Sequence, residues 1–330
     1  METRKVQQVG GGTYTVSLPQ SWAESCGVEA GAPVYLYAHD DGSLVVRRRE
    51  REDSDLASAS VAVEGDSPAA ARRRLRAAYA AGYKRVTLTA DGEFSTEQRR
   101  AVSAAARSLV GVEVTESGAD RVVVQGLLDP ADVSVRQSVL QLRFVATAML
   151  EAAVEAVAAG GAADGVAGRA DEADRVFALV TRHFDRSLSD LEEVDQLGVG
   201  RRQLFRYYAT AQSLVRVADR AVDVADAADR LDGGLPDGLA GDVAAVGADA
   251  RAAVEDATDA AVTDADHAAA DDATDACERV ADRCRALDGA LADHDAAVAV
   301  PAARAVDAIE GVTEHVREIA AVALRGDVAD

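Results

Sequence analysis

The feature that most constrains this chain is the loss of every strand-like pattern at about Pro130, after which apolar residues recur at helical spacing to the end of the 330 residues. Apolar positions three and four apart place one stripe on each helix. Six helical segments are predicted: 133–159, 166–196, 201–231, 239–258, 262–291 and 302–324. The breaks fall at Gly160-Gly161, at Gly198 and Gly200, between Gly233 and Pro236, near Thr263 and on the approach to Pro301. Three segments, a Gly/Pro break and three more suggest an internal duplication, hence a tandem pair of three-helix bundles over 130–326.

Upstream the pattern is different. Alternating runs at 5–9 and 14–18 flank Gly10-Gly11-Gly12, and runs at 34–38 and 43–47 flank Asp41-Gly42, so two hairpins are predicted. Between them Pro19 opens and Gly27 closes one short helix. So small a unit, 1–51, buries little core by itself, and dimerisation is the simplest remedy. Residues 58–127 read as a separate α/β unit with strands at 59–63, 85–90, 111–115 and 121–125. Its helices begin at Ser67-Pro68 and at the Ser95/Gln98 capping pair. The fold class is therefore multidomain: a small mainly-β head, a small α/β unit and an all-α region.

Charge narrows the function classes. The net charge is −22, the only lysines are Lys5 and Lys84, and the first 51 residues balance six bases against six acids. An Asp- and Ala-rich chain with almost no Lys suits a halophilic cytoplasm, where surface carboxylates keep a protein hydrated. No apolar stretch of about 18 residues is present, and METRKVQQVG lacks the apolar core of an export signal, so a cytoplasmic protein is expected. Cys26, Cys277 and Cys284 form no metal-type pair and read as reduced thiols. No phosphate loop, Ser/His/Asp arrangement or HExxH motif is present, so no enzyme is expected.

The stretch VQQVGGGTYTVSLPQSWAESCGVEAGAPVYLYAHDDGSLVVRR resembles the SpoVT/AbrB-type swapped-hairpin domain, with its Gly-rich turn, its Tyr14–Pro19 run, its Gly27–Val34 element and its Leu44-Val45-Val46 strand. The resemblance implies an intertwined homodimer that grips DNA. Arg4 and Lys5 before the first strand, and Arg47, Arg48, Arg49 and Arg51 after the last, are its candidate contacts. Arg can fork onto a phosphate or a guanine edge. The same residues also read as solvated strand ends.

In the helical region the third segments of the two halves align: Asp219 with Glu314, and Asp223 with Glu318. Acids at this spacing share a helix face and repel unless cations lie between them. Glu310, Glu314 and Glu318 form one stripe, Asp219 and Asp223 a shorter one. Asp171 and Asp174 of the second segment, and Asp271 and Asp275 of the fifth, are placed to complete them. This arrangement resembles PhoU, the phosphate-uptake regulator, a tandem pair of three-helix bundles with repeated acid-xxx-acid motifs that bind metal. The resemblance implies an oxygen-ligand site for Mg, Mn, Fe or Zn. The pattern departs from the family at Val215 and Ala170, which stand where acids are expected. A salt-adapted surface accounts for the same acids without metal.

Together the two resemblances imply a phosphate-responsive transcriptional or signalling regulator, with DNA and a second copy as partners and a phosphate ABC transporter or another regulator as a further candidate partner. The alternative is an adaptor that regulates such a transporter by protein contacts alone. A metal-dependent hydrolase is a third reading, and it lacks a recognisable base. The α/β unit carries no functional motif.

Overall fold

The computed structural model describes residues 3–38, 42–48, 56–63, 65, 67–163, 165–231, 233–263 and 266–325. The chain divides into Met1–Ala57 and Ser58–Asp330.

In the first unit β1 (Gln7–Val9) pairs antiparallel with β2 (Thr13–Thr15), Gln8 opposite Tyr14, around a turn in which Gly10 takes a φ of 68°. The ladder is shorter than the alternating sequence, because residues 5, 6 and 16–18 lie beyond its last pairs. Helix α1 (Gln20–Cys26) starts after Pro19 and stops at Gly27, whose left-handed φ of 62° lets its N–H reach the Ala23 and Glu24 carbonyls. β3 (Tyr35–Ala38) and β4 (Leu44–Arg47) form the second hairpin, with Leu36 opposite Val46. No described residue between 3 and 48 is buried.

The second unit opens with β5 (Ser58–Val63), α2 (Pro68–Ala80), β6 (Arg85–Ala90), α3 (Thr96–Arg107), β7 (Val112–Ser117) and β8 (Arg121–Gly126). The sheet order is β5-β6-β8-β7, with β5 and β6 parallel and the other pairs antiparallel. A parallel pair needs a crossover, and α2 supplies it. Leu75, Tyr79, Leu88, Phe94, Val102 and Val124 are among the residues that fill the core between helices and sheet. Ser95 and Gln98 make the expected capping box at the start of α3.

After a 3-10 turn at Pro130–Asp132 come α4 (Val135–Ala159), α5 (Val166–Ser189), α6 (Leu191–Leu197), α7 (Arg201–Ala228), α8 (Asp237–Val262), α9 (His267–Leu291) and α10 (Ala296–Leu324). The six long helices share one core, built largely from Ala, Val and Leu. Small residues set the spacing: a Cβ on Gly247 of α8 would come within 2.7 Å of the Val154 side chain of α4.

Three boundaries differ from the sequence reading. The second segment breaks at Asp190, where the backbone turns extended and the Asp190 carboxylate caps α6 by accepting from the Glu192 N–H. Val262 ends α8 rather than opening α9, because Asp266 is the true cap, accepting from the Ala269 N–H at 3.1 Å. α10 starts at Ala296 and absorbs Pro301. Pro301 is the sixth residue of that helix, so its missing N–H forfeits one bond near a frayed end.

Candidate DNA-binding head and charged cleft

Among the described residues each hairpin of the head carries a largely exposed apolar face. Tyr14 lies opposite Gln8 on one face of the first hairpin, and Val6 and Val16, beyond the last pairs, continue the same alternation in sequence. Val6 is 65% exposed and Tyr14 69%. On the second hairpin Leu36, Leu44 and Val46 share a face, and both leucines are exposed. The basic residues lie at the edges of these faces. Arg4 and Lys5 are exposed ahead of β1. The Arg47 guanidinium stands 5.8 Å from the centre of the Tyr37 ring. Arg48 lies against Gly27, its Nη1 3.2 Å from where a Cβ would sit, beside the carbonyl end of α1. Arg49 and Arg51 lie outside the described residues.

The acid stripes meet in an arrangement the sequence did not suggest. The expectation was two separate sites, one per bundle. Instead α7 packs along α10. Asp219 and Asp223 therefore face Glu314 and Glu318 across a single cleft of about 500 Å³, shared with Gln212, Arg216, Arg220 and His315. A second hollow continues it past Arg220 and Asp223 to Arg230, Arg304 and Asp307. Arginines alternate with carboxylates here: Arg220 pairs with Asp223 at 3.4 Å. Glu318 accepts from Ser213 Oγ at 2.9 Å and lies 3.3 Å from His315 Nδ1. Burial alone would raise the Glu318 carboxyl, but those two contacts hold it below its ordinary value.

The remaining candidates are dispersed. Asp174 on α5 faces Arg76 of α2 at 3.8 Å. Its carboxyl is raised by burial, and Asp219 and Asp171 push it further against the pull of Arg76. Glu310 is half-buried on α10, while Asp271 and Asp275 are exposed on α9. Burial pushes the Cys284 thiol up to about 12, with Glu310 and Asp288 adding to it, which fits a packed thiol. Among the described residues no three His, Cys, Asp or Glu side chains gather closely enough to hold a metal ion. Two of the four cleft carboxylates already have partners, Asp223 in Arg220 and Glu318 in Ser213.

Sequence reasoning missed a buried network on α5. The i, i+4 ridge Asp174, Ala178, Arg182 and Arg186 faces the α/β unit, where Ala178 packs on its core. Arg182 Nη1 donates to the Tyr79 carbonyl and Arg186 Nη1 to the Gly82 carbonyl, each at 2.8 Å. Two guanidinium groups thereby cap the carbonyl end of α2. From α6, fully buried Glu193 reaches back to Arg186 Nε at 2.8 Å and His183 Nδ1 at 2.6 Å. Burial would raise the Glu193 carboxyl, yet His183 and Arg186 outweigh it and hold it below its usual value. His183 Nε2 is buried without a hydrogen-bond partner. The legible signal was two arginines four apart just after the apolar run Val176–Val180, followed closely by acids.

Residues 7–54 match the family described as "Antidote-toxin recognition MazE, bacterial antitoxin". The head is thus a MazE/AbrB-like domain, as its hairpins and turn residues indicated. The match covers the head alone. No curated protein matches the chain.

Proposed function

We propose that the chain is a transcriptional or signalling regulator: two copies join through their MazE/AbrB-like heads to bind DNA, and the helical region reports phosphate status to them. The observation that carries this reading is the head itself, which buries no described residue, leaves apolar faces open on both hairpins and bears arginine at their margins. A second copy laid on those faces supplies the missing core and doubles the basic edges. Arg47 and Arg48 then act as phosphate contacts.

The sensing half of the proposal rests on the tandem helical arrangement and the cleft between α7 and α10. No metal is assigned a part in it. A ligand or partner that favours one packing of these helices shifts the population of head arrangements competent for DNA. The buried α5 network passes such a shift into the α/β unit, since Arg182 and Arg186 hold the end of α2.

The test is DNA binding across a salt series with wild type and an Arg47→Ala/Arg48→Ala variant. Each phosphate contact removed lowers the slope of log affinity against log salt by about 0.9. A slope unchanged in the variant, or no binding by either protein at any salt, refutes the DNA-binding role. In that event the adaptor reading stands, in which the head only dimerises and the chain regulates a phosphate transporter by protein contacts.

A further inference from the structure

We propose that the outer surface of α2 and α3 is a second DNA contact, a phosphate-binding patch separate from the head. The proposal rests on the reading of the chain as a DNA-binding regulator. The two helices pack side by side on one face of the sheet of the α/β unit. Arg72, Arg73 and Arg74 on α2, and Arg100 and Arg107 on α3, are all exposed. Among the described residues none of these five side chains has a hydrogen bond or an ion pair. Arg73 turns away from the buried Ala71, Leu75 and Ala78, and Arg100 and Arg107 from the buried Val102, Ala105 and Ala106. Arg72 is one turn before Arg76, whose Nη2 donates to Ser108 Oγ of α3 at 3.5 Å, so it stands over the seam between the helices.

In a chain of net charge −22, no acid occurs from Ser67 to Ala90 or from Gln98 to Val112. The acids nearest the patch stand at its margins. Asp91, Glu93 and Glu97 are exposed where α3 begins, and Glu64 and Asp66, just before α2 in sequence, lie outside the described residues. On α5, Asp174 is answered by Arg76 at 3.8 Å, with Asp171 beyond it. Glu113 neighbours the core-packed Val114 and so faces the other side of the sheet, and Glu116 is paired with Arg121 at 2.7 Å.

The surface between the arginines selects the occupant. It is made of small residues, exposed Ala77 and Ala104 with half-buried Ala101 and Ser103, and offers no large apolar side chain. A protein partner draws its affinity from such anchors, whereas a phosphate backbone needs only guanidinium groups and room to come close. Arg100 and Arg107 stand about 10 Å apart along α3 at about 1.5 Å per residue, the axial span of about three base pairs. Duplex DNA therefore fits this patch better than an acidic polypeptide.

The experiment uses the full chain and a fluorescein-labelled random-sequence duplex of about five helical turns, at about 10 base pairs per turn, read by anisotropy across a salt series. Arg100→Ala/Arg107→Ala should lower the slope of log affinity against log salt by about 1.8, at about 0.9 per phosphate contact. Arg72→Ala/Arg73→Ala should do the same, and Arg100→Lys/Arg107→Lys should keep the wild-type slope. Arg279→Ala/Arg285→Ala removes equal charge from exposed positions on α9 and should leave the slope unchanged. Ala is the best helix former, so each variant should keep the wild-type unfolding midpoint by circular dichroism. A wild-type slope in both patch variants overturns the proposal, and a slope that still falls in Arg47→Ala/Arg48→Ala then leaves the head reading intact. An equal fall in the α9 variant overturns it as well, because overall charge would explain the effect. Polyglutamate that displaces the duplex as well as unlabelled DNA does would make an acidic protein the occupant and equally overturn it. Wild type that binds no duplex at any salt overturns both readings.

Discussion

Replacing Glu193 by Ala tests whether the joint between α5, α6 and the α/β unit depends on its buried charges. Glu193 is 0% exposed and takes hydrogen bonds from both His183 Nδ1, at 2.6 Å, and Arg186 Nε, at 2.8 Å. Its loss leaves Arg186, 3% exposed, with the Gly82 carbonyl and an Asp190 carboxylate at 4.0 Å. Removing one partner of a buried ion pair costs about 3–5 kcal/mol. At about 2 °C per kcal/mol for a unit of this size, the midpoint of thermal unfolding should fall by roughly 6–10 °C. Circular dichroism at 222 nm reads it. The double variant Glu193→Ala/Arg186→Met also removes the stranded charge and should recover part of the loss, short of full because the Gly82 contact goes too. The pH profile supplies the sign. The Glu193 carboxyl is held below its ordinary value of 4.5, so its contribution is present above about that pH and is lost as pH falls through the lower folded value. Wild type should therefore lose stability on acidification more steeply than Glu193→Ala. A midpoint shift below 2 °C, or identical acid profiles, refutes the reasoning.

Three further outcomes follow from the structure. Tyr14→Asp places a carboxylate on the open face of the first hairpin, so light scattering should report a mass near the 34.3 kDa of one chain, against twice that for wild type. Gly247→Leu forces a side chain into Val154 and should cost about 1–3 kcal/mol by overpacking, seen as a lower urea midpoint with native helix content below it. Excess EDTA should leave the unfolding midpoint within 1 °C, because Arg220 pairs with Asp223 and Ser213 donates to Glu318 in the α7–α10 cleft; a drop of several degrees would show a cation held there.

Much of this architecture was legible residue by residue. The helix stripes of α4 and α7, the capping pair Ser95/Gln98 and the stop at Gly27 are local signals, and each is met. The break at Asp190 was not legible, because LSDLEEV contains neither Gly nor Pro. What favours the turn is distant in sequence: a glutamate that must fold back on Arg186, and an arginine committed to the Gly82 carbonyl. The cleft was half legible. The alignment of Asp219 with Glu314 followed from the repeat, but helical periodicity says which residues share a face and nothing about which helix that face meets. The packing of α7 on α10 decided that, and it turned two supposed sites into one. The stacking of Phe177 and Phe184 on Tyr208 passed unnoticed because these residues alternate with core positions and look like ordinary packing until α5 and α7 are set side by side.

The head's lack of any buried described residue also bears on dosage. A segment that gains its core only from another copy folds as it pairs, so its folded amount follows the square of protein concentration when copies are few. Doubling the protein then quadruples the assembled heads. In a dilute cell the rate of synthesis becomes a control variable in its own right.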